Sequence, residues 1–458
     1  MTILLISTYD LGRQPFGLAS PAAWLRAAGH EVHCVDVTRT RLPIDVVRAA
    51  DLVGVYLPMH TATRMALPVL DKVLQIKPSA HLVAYGLYAP LNADVLREHG
   101  VATILGPEFE SDLVGVASEV APAGASFRSG VRESATRSPG QADVPVPRLR
   151  FITPDRSGLP PLETYASLQV GETRKLVGYT EATRGCKHLC RHCPIVPIYN
   201  GRFRVVDVGV VLADIAAQVA AGAQHITFGD PDFFNGPKHA IAVIEGLHAA
   251  HADVSYDVTI KVEHLRRHVD LLPRLRDTGC AFVTSAVESI DDAVTAKLEK
   301  GHTRADFEQV VRDCRAAGLA LSPTFVAFTP WTTLAGYVEF LRAIDRLGLV
   351  PAVAPIQYAI RLLIPKGSRM LELPDVRERI GYYDPRTLTS VWCHADPRVD
   401  ALQRDLEALA GARLNAPRDE FFARVWDVAH AAAGLVPPAR PPLPSRATVP
   451  YLNEPWYC

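Results

Sequence analysis

The chain has 458 residues, of which 48% are hydrophobic and 21% charged, and its formal net charge is −1. That balance gives no basic footprint for nucleic acid or an anionic membrane surface, and no stretch reaches the roughly 18 uninterrupted apolar residues of a membrane span. The length favours two or three domains over one.

The opening "MTILLISTYDLG" has an apolar run but no basic segment before it and no small-residue cleavage site, so it reads as a first buried strand and not a signal peptide. Strands are expected at 2–8, 31–37, 51–57, 80–86 and 102–106, with helical spacing between them, as in "SPAAWLRAAGH" at 20–30. This alternation predicts a doubly wound parallel sheet over 1–120, whose ligands would sit at the carboxyl ends of its strands. Residues 121–148 are rich in Pro, Gly, Ser and Arg without hydrophobic period, and the whole of 121–175 is expected to be a linker. A second alternation follows. Strands at 176–182, 224–230, 254–260, 280–288, 321–328 and 355–364, separated by helical patterns such as 207–222, 306–318 and 334–348, predict six β/α units over 176–385. Such a series makes a (β/α)6 partial barrel with its working end at the carboxyl face of the strands. The remainder, 386–458, holds two helical patterns and a Pro-rich tail. The fold class is therefore α/β, a Rossmann-like domain followed by a partial TIM barrel and a small helical C-terminal region.

Of eight cysteines, Cys34, Cys280, Cys314, Cys393 and Cys458 are scattered, as reduced thiols are in a cytoplasmic protein. The other three are clustered in "EATRGCKHLCRHCPIVPIYNGRF", residues 181–203, where Cys186, Cys190 and Cys193 form CxxxCxxC. A disulfide uses two thiols and a closed zinc site takes four donors. A four-iron cubane normally takes four thiolates, so three would leave one iron open. His188 or His192 could complete a zinc site, and both metals stand at this point. No G-x-x-x-x-G-K-[ST], G-x-S-x-G or H-E-x-x-H occurs, so kinase and hydrolase readings have no support.

CxxxCxxC after the first strand of a six-unit β/α barrel resembles the signature of the radical S-adenosylmethionine (radical SAM) enzymes. The resemblance covers about residues 176–370. It implies that Cys186, Cys190 and Cys193 hold a [4Fe–4S] cluster whose fourth iron binds SAM, and that SAM is reductively cleaved to a 5′-deoxyadenosyl radical. His192 stands where the family often has an aromatic residue. "FGDPDFFNGP" (228–237) resembles the family's second-strand motif, which aligns Gly229, Asp230 and Pro231 with the SAM amino group. "TSAVESIDDAVTAKLEKGHT" (284–303) resembles its fourth-strand stretch, which implies Ser285 and Glu288 near the SAM ribose or methionine. "RLLIPKGS" (361–368) falls where the sixth strand passes the adenine, and Arg361, costly to bury unpaired, would want a carboxylate from SAM or substrate.

The first domain resembles the cobalamin-binding domain that precedes the barrel in one radical SAM class, through "PFGLASPAAWLRAAGHEVHCVDV" and "ADLVGVYLP". Cobalamin is the cofactor this implies; the alternative is a sheet kept for packing alone. The family's DxHxxG is absent, since Leu11 and Gly12 follow Asp10, and Leu87 and Tyr88 follow Gly86 where others have a second glycine. The tail "LNEPWYC" resembles the CUAEP/CCAEP-tail radical SAM (seleno)proteins, which implies a redox role for Cys458 and a chain that ends where a UGA selenocysteine codon would follow.

Lys261, Glu263 and His264, after the third barrel strand, are candidates to orient substrate or SAM. Asp230 and Asp232 flank Pro231 at the same mouth. His225 reads as a satisfied strand-end residue, and Trp331 as core or pocket wall. The function expected is a cytoplasmic radical SAM enzyme acting on an unknown small-molecule or peptide substrate. Its electron donor would be a flavodoxin or ferredoxin, with no nucleic-acid or membrane partner. The alternatives are a cobalamin-dependent radical SAM methyltransferase and a non-catalytic iron–sulfur or zinc redox or sensor module.

Overall fold

The computed structural model describes residues 1–120, 146–412, 416–438 and 450–452. Of the expected linker 121–175, residues 121–145 lie outside them, as does most of the tail, Cys458 included. The first sheet has five parallel strands, β1 Thr2–Ser7, β2 Glu31–Asp36, β3 Leu52–Tyr56, β4 His81–Tyr85 and β5 Thr103–Ile104, in the order β2-β1-β3-β4-β5. Alternation explains its two-faced core: Leu4, Ile6, Val53 and Val55 pack on one side, and Ile3, Leu5, Leu52 and Tyr56 on the other. The strand order reverses between β1 and β3, so the crevice of this domain lies at their carboxyl ends.

The second sheet begins with an antiparallel pair, β6 Ser167–Val170 and β7 Thr173–Thr180, so the expected linker already holds a strand at 167–170. A short hairpin follows, β8 Thr183–Gly185 and β9 Phe203–Val205. Then β10 His225–Phe228, β11 Ser255–Thr259, β12 Cys280–Glu288 and β13 Leu321–Phe325 extend the sheet in parallel, β7-β10-β11-β12-β13. The helices between them are cut by local signals. Arg304–Ala317, for example, starts on a reciprocal Thr303–Asp306 capping box and stops at Gly318 in the left-handed region.

The sixth strand expected at 355–364 is not a full strand. Pro355–Tyr358 is a 3₁₀ turn opened by its proline, and the Gln357 side-chain oxygen takes the Phe325 N–H (2.7 Å) that a strand would have used. One parallel bridge, Phe328 to Arg361, closes the half-barrel there. A hairpin, β14 Ile380–Asp384 and β15 Thr389–Trp392, spans the boundary expected near 385. The helices Pro397–Ala412 and Arg418–Ala432 bury Leu402, Leu406, Phe421, Phe422 and Trp426 in the barrel's own core. Finally, β16 Tyr451–Leu452 pairs antiparallel with β6.

Residues 146–166 strap the two sheets together. Arg156 donates to Asp214 (2.9 and 3.0 Å), to Gln14 of the first domain (3.0 Å) and to the Tyr179 carbonyl (2.7 Å). Arg184 on β8 is buried and reaches Glu110 and Glu108 beyond β5 at 2.6 and 3.7 Å and its own neighbour Glu181 at 2.8 Å. Its guanidinium also lies over the rings of Phe16, Phe109 and Phe151. The carboxyl edge of the first sheet is thereby held against the start of the barrel.

Candidate active site

The carboxyl ends of the barrel strands gather the polar loops. After β8 the chain enters the cysteine loop through Gly185 at φ +76°, where an added Cβ would lie 2.4 Å from the Tyr199 ring and 2.6 Å from the Arg202 carbonyl. Only glycine fits that entry. Cys186 and Cys190 are buried, Cys193 is partly exposed, and every described cysteine is free. Cys186 Sγ points at Asn235 Oδ1 (3.8 Å), and the same oxygen accepts the Lys187 N–H (3.2 Å), so Asn235 fixes the loop's first turn. Burial pushes the Cys186 thiol up to about 11, and the charges of Asp232 and Cys190 add to it. Burial likewise pushes Cys193 up to about 12, with Cys190 and Cys186 adding and Lys300 opposing. Cys186 and Cys193 each feel the charge of the neighbouring thiols, so the three lie close together, and such thiols ionise together only when a cation shares the charge. This donor set fits a three-thiolate cluster.

Glu288 ends β12 at φ +67°, uncommon for a residue with a side chain, and β12 slips register against β13 there. Its Oε1 accepts from Lys300 Nζ (3.2 Å) and faces His192 Nε2 (3.3 Å). Burial alone would raise the Glu288 carboxyl, but the Lys300 ammonium and the His192 imidazole more than offset it and hold it down to about 2. The pair thus packs a carboxylate and an ammonium against the third cysteine's turn. His302, in the same turn, has both ring nitrogens buried without a partner, and burial lowers it to about 4.

Gly229 follows β10 with its N–H on the Thr180 carbonyl (2.8 Å), and a Cβ there would lie 1.8 Å from Tyr179 Oη. Asp230 turns inward to accept from Ala182 N (2.9 Å) and Thr183 Oγ1 (2.5 Å), and burial pushes its carboxyl up to about 7. That side chain therefore braces β8. Pro231 carries the chain on to Asp232, which lies fully buried between His188 (3.1 Å) and His264 (2.7 Å). Lys261 and His188 both approach Glu263 at 3.6 Å. The loops after β8, β10 and β11 thus meet.

Two expected cofactor residues are not brought in. Strand alternation puts Ser285 on the face of Val283 and Val287, whose core includes Leu275, Phe307 and Val310, opposite to Phe282 and Thr284. Its hydroxyl is buried there without a partner. Arg361 has its carboxylate within the chain: it donates to Asp400 (2.8 Å) and the Trp392 carbonyl (2.7 Å), and its guanidinium stacks 3.5 Å from the Trp392 ring. Trp331 donates to Asp375 (2.7 Å) at the rim, and His225 is satisfied by Ser255 and Asp257 (both 2.9 Å). Asn235, Lys300 and the His192–Glu288 contact are site features not singled out in the sequence; the one available signal is the run Lys300-Gly301-His302 that ends the stretch at 284–303.

In the first domain, Tyr56, Tyr85 and Phe109 pack ring to ring at 4.7–5.9 Å on the carboxyl edge beside Gly86. His60, just past β3, touches the Thr387 carbonyl of the hairpin (2.5 Å) and keeps a buried Nδ1 without a partner.

No described helix is long and apolar enough to cross a membrane. The tRNA-2-methylthio-N(6)-dimethylallyladenosine synthase of Desulfosudis oleivorans is 25% identical over 216 residues, 44% of this chain and 45% of that protein. The chain thus spans about half the length of the curated relatives it matches. The cobalamin-dependent S-adenosylmethionine radical enzyme OxsB superposes with a TM-score of 0.68 at 15% identity, over 90% of this chain and 67% of that one. The radical S-adenosylmethionine methyltransferase TsrM from Kitasatospora setae gives 0.59 at 17% identity, over 81% and 73%. Both share the order of a Rossmann-like domain and a half-barrel. Residues 180–332, which run from the end of β7 past β13 and include all three clustered cysteines, match the Radical SAM superfamily model.

Proposed function

We propose that the chain is a radical SAM enzyme in which Cys186, Cys190 and Cys193 hold a [4Fe–4S] cluster and the barrel mouth binds SAM and an unidentified substrate. The single observation that carries this reading is three unpaired thiols gathered on one loop at the carboxyl end of the first barrel strand. When bound, cluster and SAM together supply a reductively generated 5′-deoxyadenosyl radical. The protein's share is positional. Gly185 and Asn235 set the loop, and Lys300 brings a positive charge beside Cys190 and Cys193 that offsets thiolate charge. Glu288, held ionised by Lys300, fixes His192 next to the third cysteine. Gly229, Asp230 and Pro231 form the turn facing that loop. The expected contact with SAM belongs to this turn's backbone, because the Asp230 carboxylate is spent on Ala182 and Thr183.

A flavodoxin or ferredoxin as electron donor, a reducing cytoplasm, and a redox role for Cys458 complete the proposal. The resemblance of the tail to the CUAEP/CCAEP proteins concerns residues outside those described. A second reading, cobalamin-dependent methyl transfer, is favoured by the two-domain order shared with OxsB and TsrM, both of which hold cobalamin in their structures. Here the edge beside Gly86 is packed with three aromatic rings, and Leu11 and Gly12 follow Asp10 where a DxH histidine would stand.

The test is anaerobic turnover. The iron- and sulfide-reconstituted chain is incubated with SAM and dithionite, with and without cobalamin, and 5′-deoxyadenosine and S-adenosylhomocysteine are quantified. Cluster-dependent 5′-deoxyadenosine supports the first reading, and S-adenosylhomocysteine that needs cobalamin supports the second. Neither product, with zinc as the bound metal, leaves a non-catalytic module.

A further inference from the structure

Three loops of the half-barrel converge on a second constellation of metal-ligating side chains, separate from the thiols. His188 comes from the cysteine loop, Asp232 from the turn after β10 and His264 from the helix after β11. Their donor atoms lie within 4.8 Å of one another, and Asp232 and His264 are fully buried.

The contacts are not those of a finished hydrogen-bond chain. His188 Nε2 makes an aligned bond to Asp232 Oδ2 at 3.1 Å. His264 Nδ1 lies 2.7 Å from the same oxygen, yet makes no aligned hydrogen bond to it, and His264 Nε2 is also buried without a partner. A buried imidazole with one nitrogen unpartnered and the other lying off the hydrogen-bond axis of a shared carboxylate oxygen is unusual, since buried polar atoms are nearly always satisfied. The spacing suits a cation instead. Ligands about 2.1 Å from a divalent first-row metal stand roughly 3.0–3.4 Å from one another in octahedral or tetrahedral sites; the His188–Asp232 separation of 3.1 Å falls in that range, and the His264–Asp232 separation of 2.7 Å would open by a few tenths of an ångström on binding. The rings of His188 and His264 are inclined at 56° with centroids 4.6 Å apart, so they do not stack face to face. Glu263 Oε2 stands 3.6 Å from His188 Nδ1, where an outer carboxylate orients a ligating imidazole.

We propose that His188, Asp232 and His264 form a second metal site that takes one divalent first-row cation of the zinc or iron(II) class. Two imidazoles and one carboxylate suit such ions and leave coordination positions open. Because His188 sits between Cys186 and Cys190, the cation would lie beside the cluster loop, where an oxygen or nitrogen donor of the substrate can complete its coordination. The site is independent of how the thiols are used, so it can fail while the radical SAM reading stands.

The experiment uses the cluster-reconstituted full-length chain, titrated anaerobically with Zn2+ by calorimetry, with metal content and zinc X-ray absorption read on the loaded protein. One zinc per chain beyond the iron content, with a shell of nitrogen and oxygen only, is expected. His188→Ala and His264→Ala should abolish it, and Glu263→Gln should weaken it roughly 10-fold. His188→Ala lies at the rim and serves if a variant at the buried positions fails to fold. No added zinc, a sulfur-containing shell, or undiminished binding in His188→Ala would overturn the proposal.

Discussion

Glu288 and Lys300 form a buried ion pair across the turn that leaves the fourth barrel strand, with Oε1 and Nζ 3.2 Å apart and both side chains almost wholly withdrawn from solvent. The pair lies beside the cysteine loop through His192. Removing one partner of such a pair strands the other. Lys300→Met should destabilise the chain by about 3–5 kcal/mol, and Glu288→Gln in the same chain should recover much of that loss. Urea unfolding of the metal-free protein measures both.

Stability should vary with pH in two opposed ways. Glu288 is held down from 4.5 to about 2 because Lys300 and His192 outweigh its burial, so its contribution is present above pH 4.5 and lost as pH falls toward 2. Asp10 is the reverse case: burial pushes it from 3.8 up to about 7, so the folded state keeps a proton the unfolded chain has released, and stability is lost as pH rises through that window. Asp10→Asn should flatten the loss between pH 4 and 7 by on the order of 3 kcal/mol. Urea midpoints measured across that range test the sign directly.

Arg361 should behave as a structural residue. It ties the closing bridge of the barrel to Asp400 and to Trp392. Arg361→Ala is expected to lower stability by about 2–3 kcal/mol while leaving SAM cleavage per cluster unchanged. A raised KM for SAM with an unaltered melting temperature would return Arg361 to the cofactor.

At Gly229 the close approach of Tyr179 leaves no room for a methyl group. Gly229→Ala should cost roughly 1–3 kcal/mol as the turn shifts, and iron retention should fall with it because the turn faces the cysteine loop. Combining it with Tyr179→Ala should give less than the sum of the two losses.

Much of this architecture is legible in the sequence because parallel strands buried on both faces write themselves as short β-branched runs; 280–288 is expected and found as a strand over the same residues. The cysteine loop is legible because three thiols spaced within one turn of chain can all reach a single metal centre, whereas scattered thiols cannot. Less legible are features whose partners lie far away. Nothing local shows that Arg361 will meet Asp400, or that Gln357 will replace a strand's backbone oxygen at Phe325. The pairing of β16 with β6 joins segments nearly three hundred residues apart. The side of the sheet on which Ser285 falls follows from register, which one residue of slip inverts. His188, Asp232 and His264 each stand at a legible strand end, but only the folded barrel brings the three together.

The central claim is that Cys186, Cys190 and Cys193 hold a cluster with one iron open to SAM, and electron paramagnetic resonance of the anaerobically reconstituted, dithionite-reduced chain tests it most directly. A [4Fe–4S]⁺ signal that changes on adding SAM, and that is absent in Cys190→Ala, is the predicted result. A reduced cluster indifferent to SAM, or a chain that binds zinc and shows no such signal, would contradict the account.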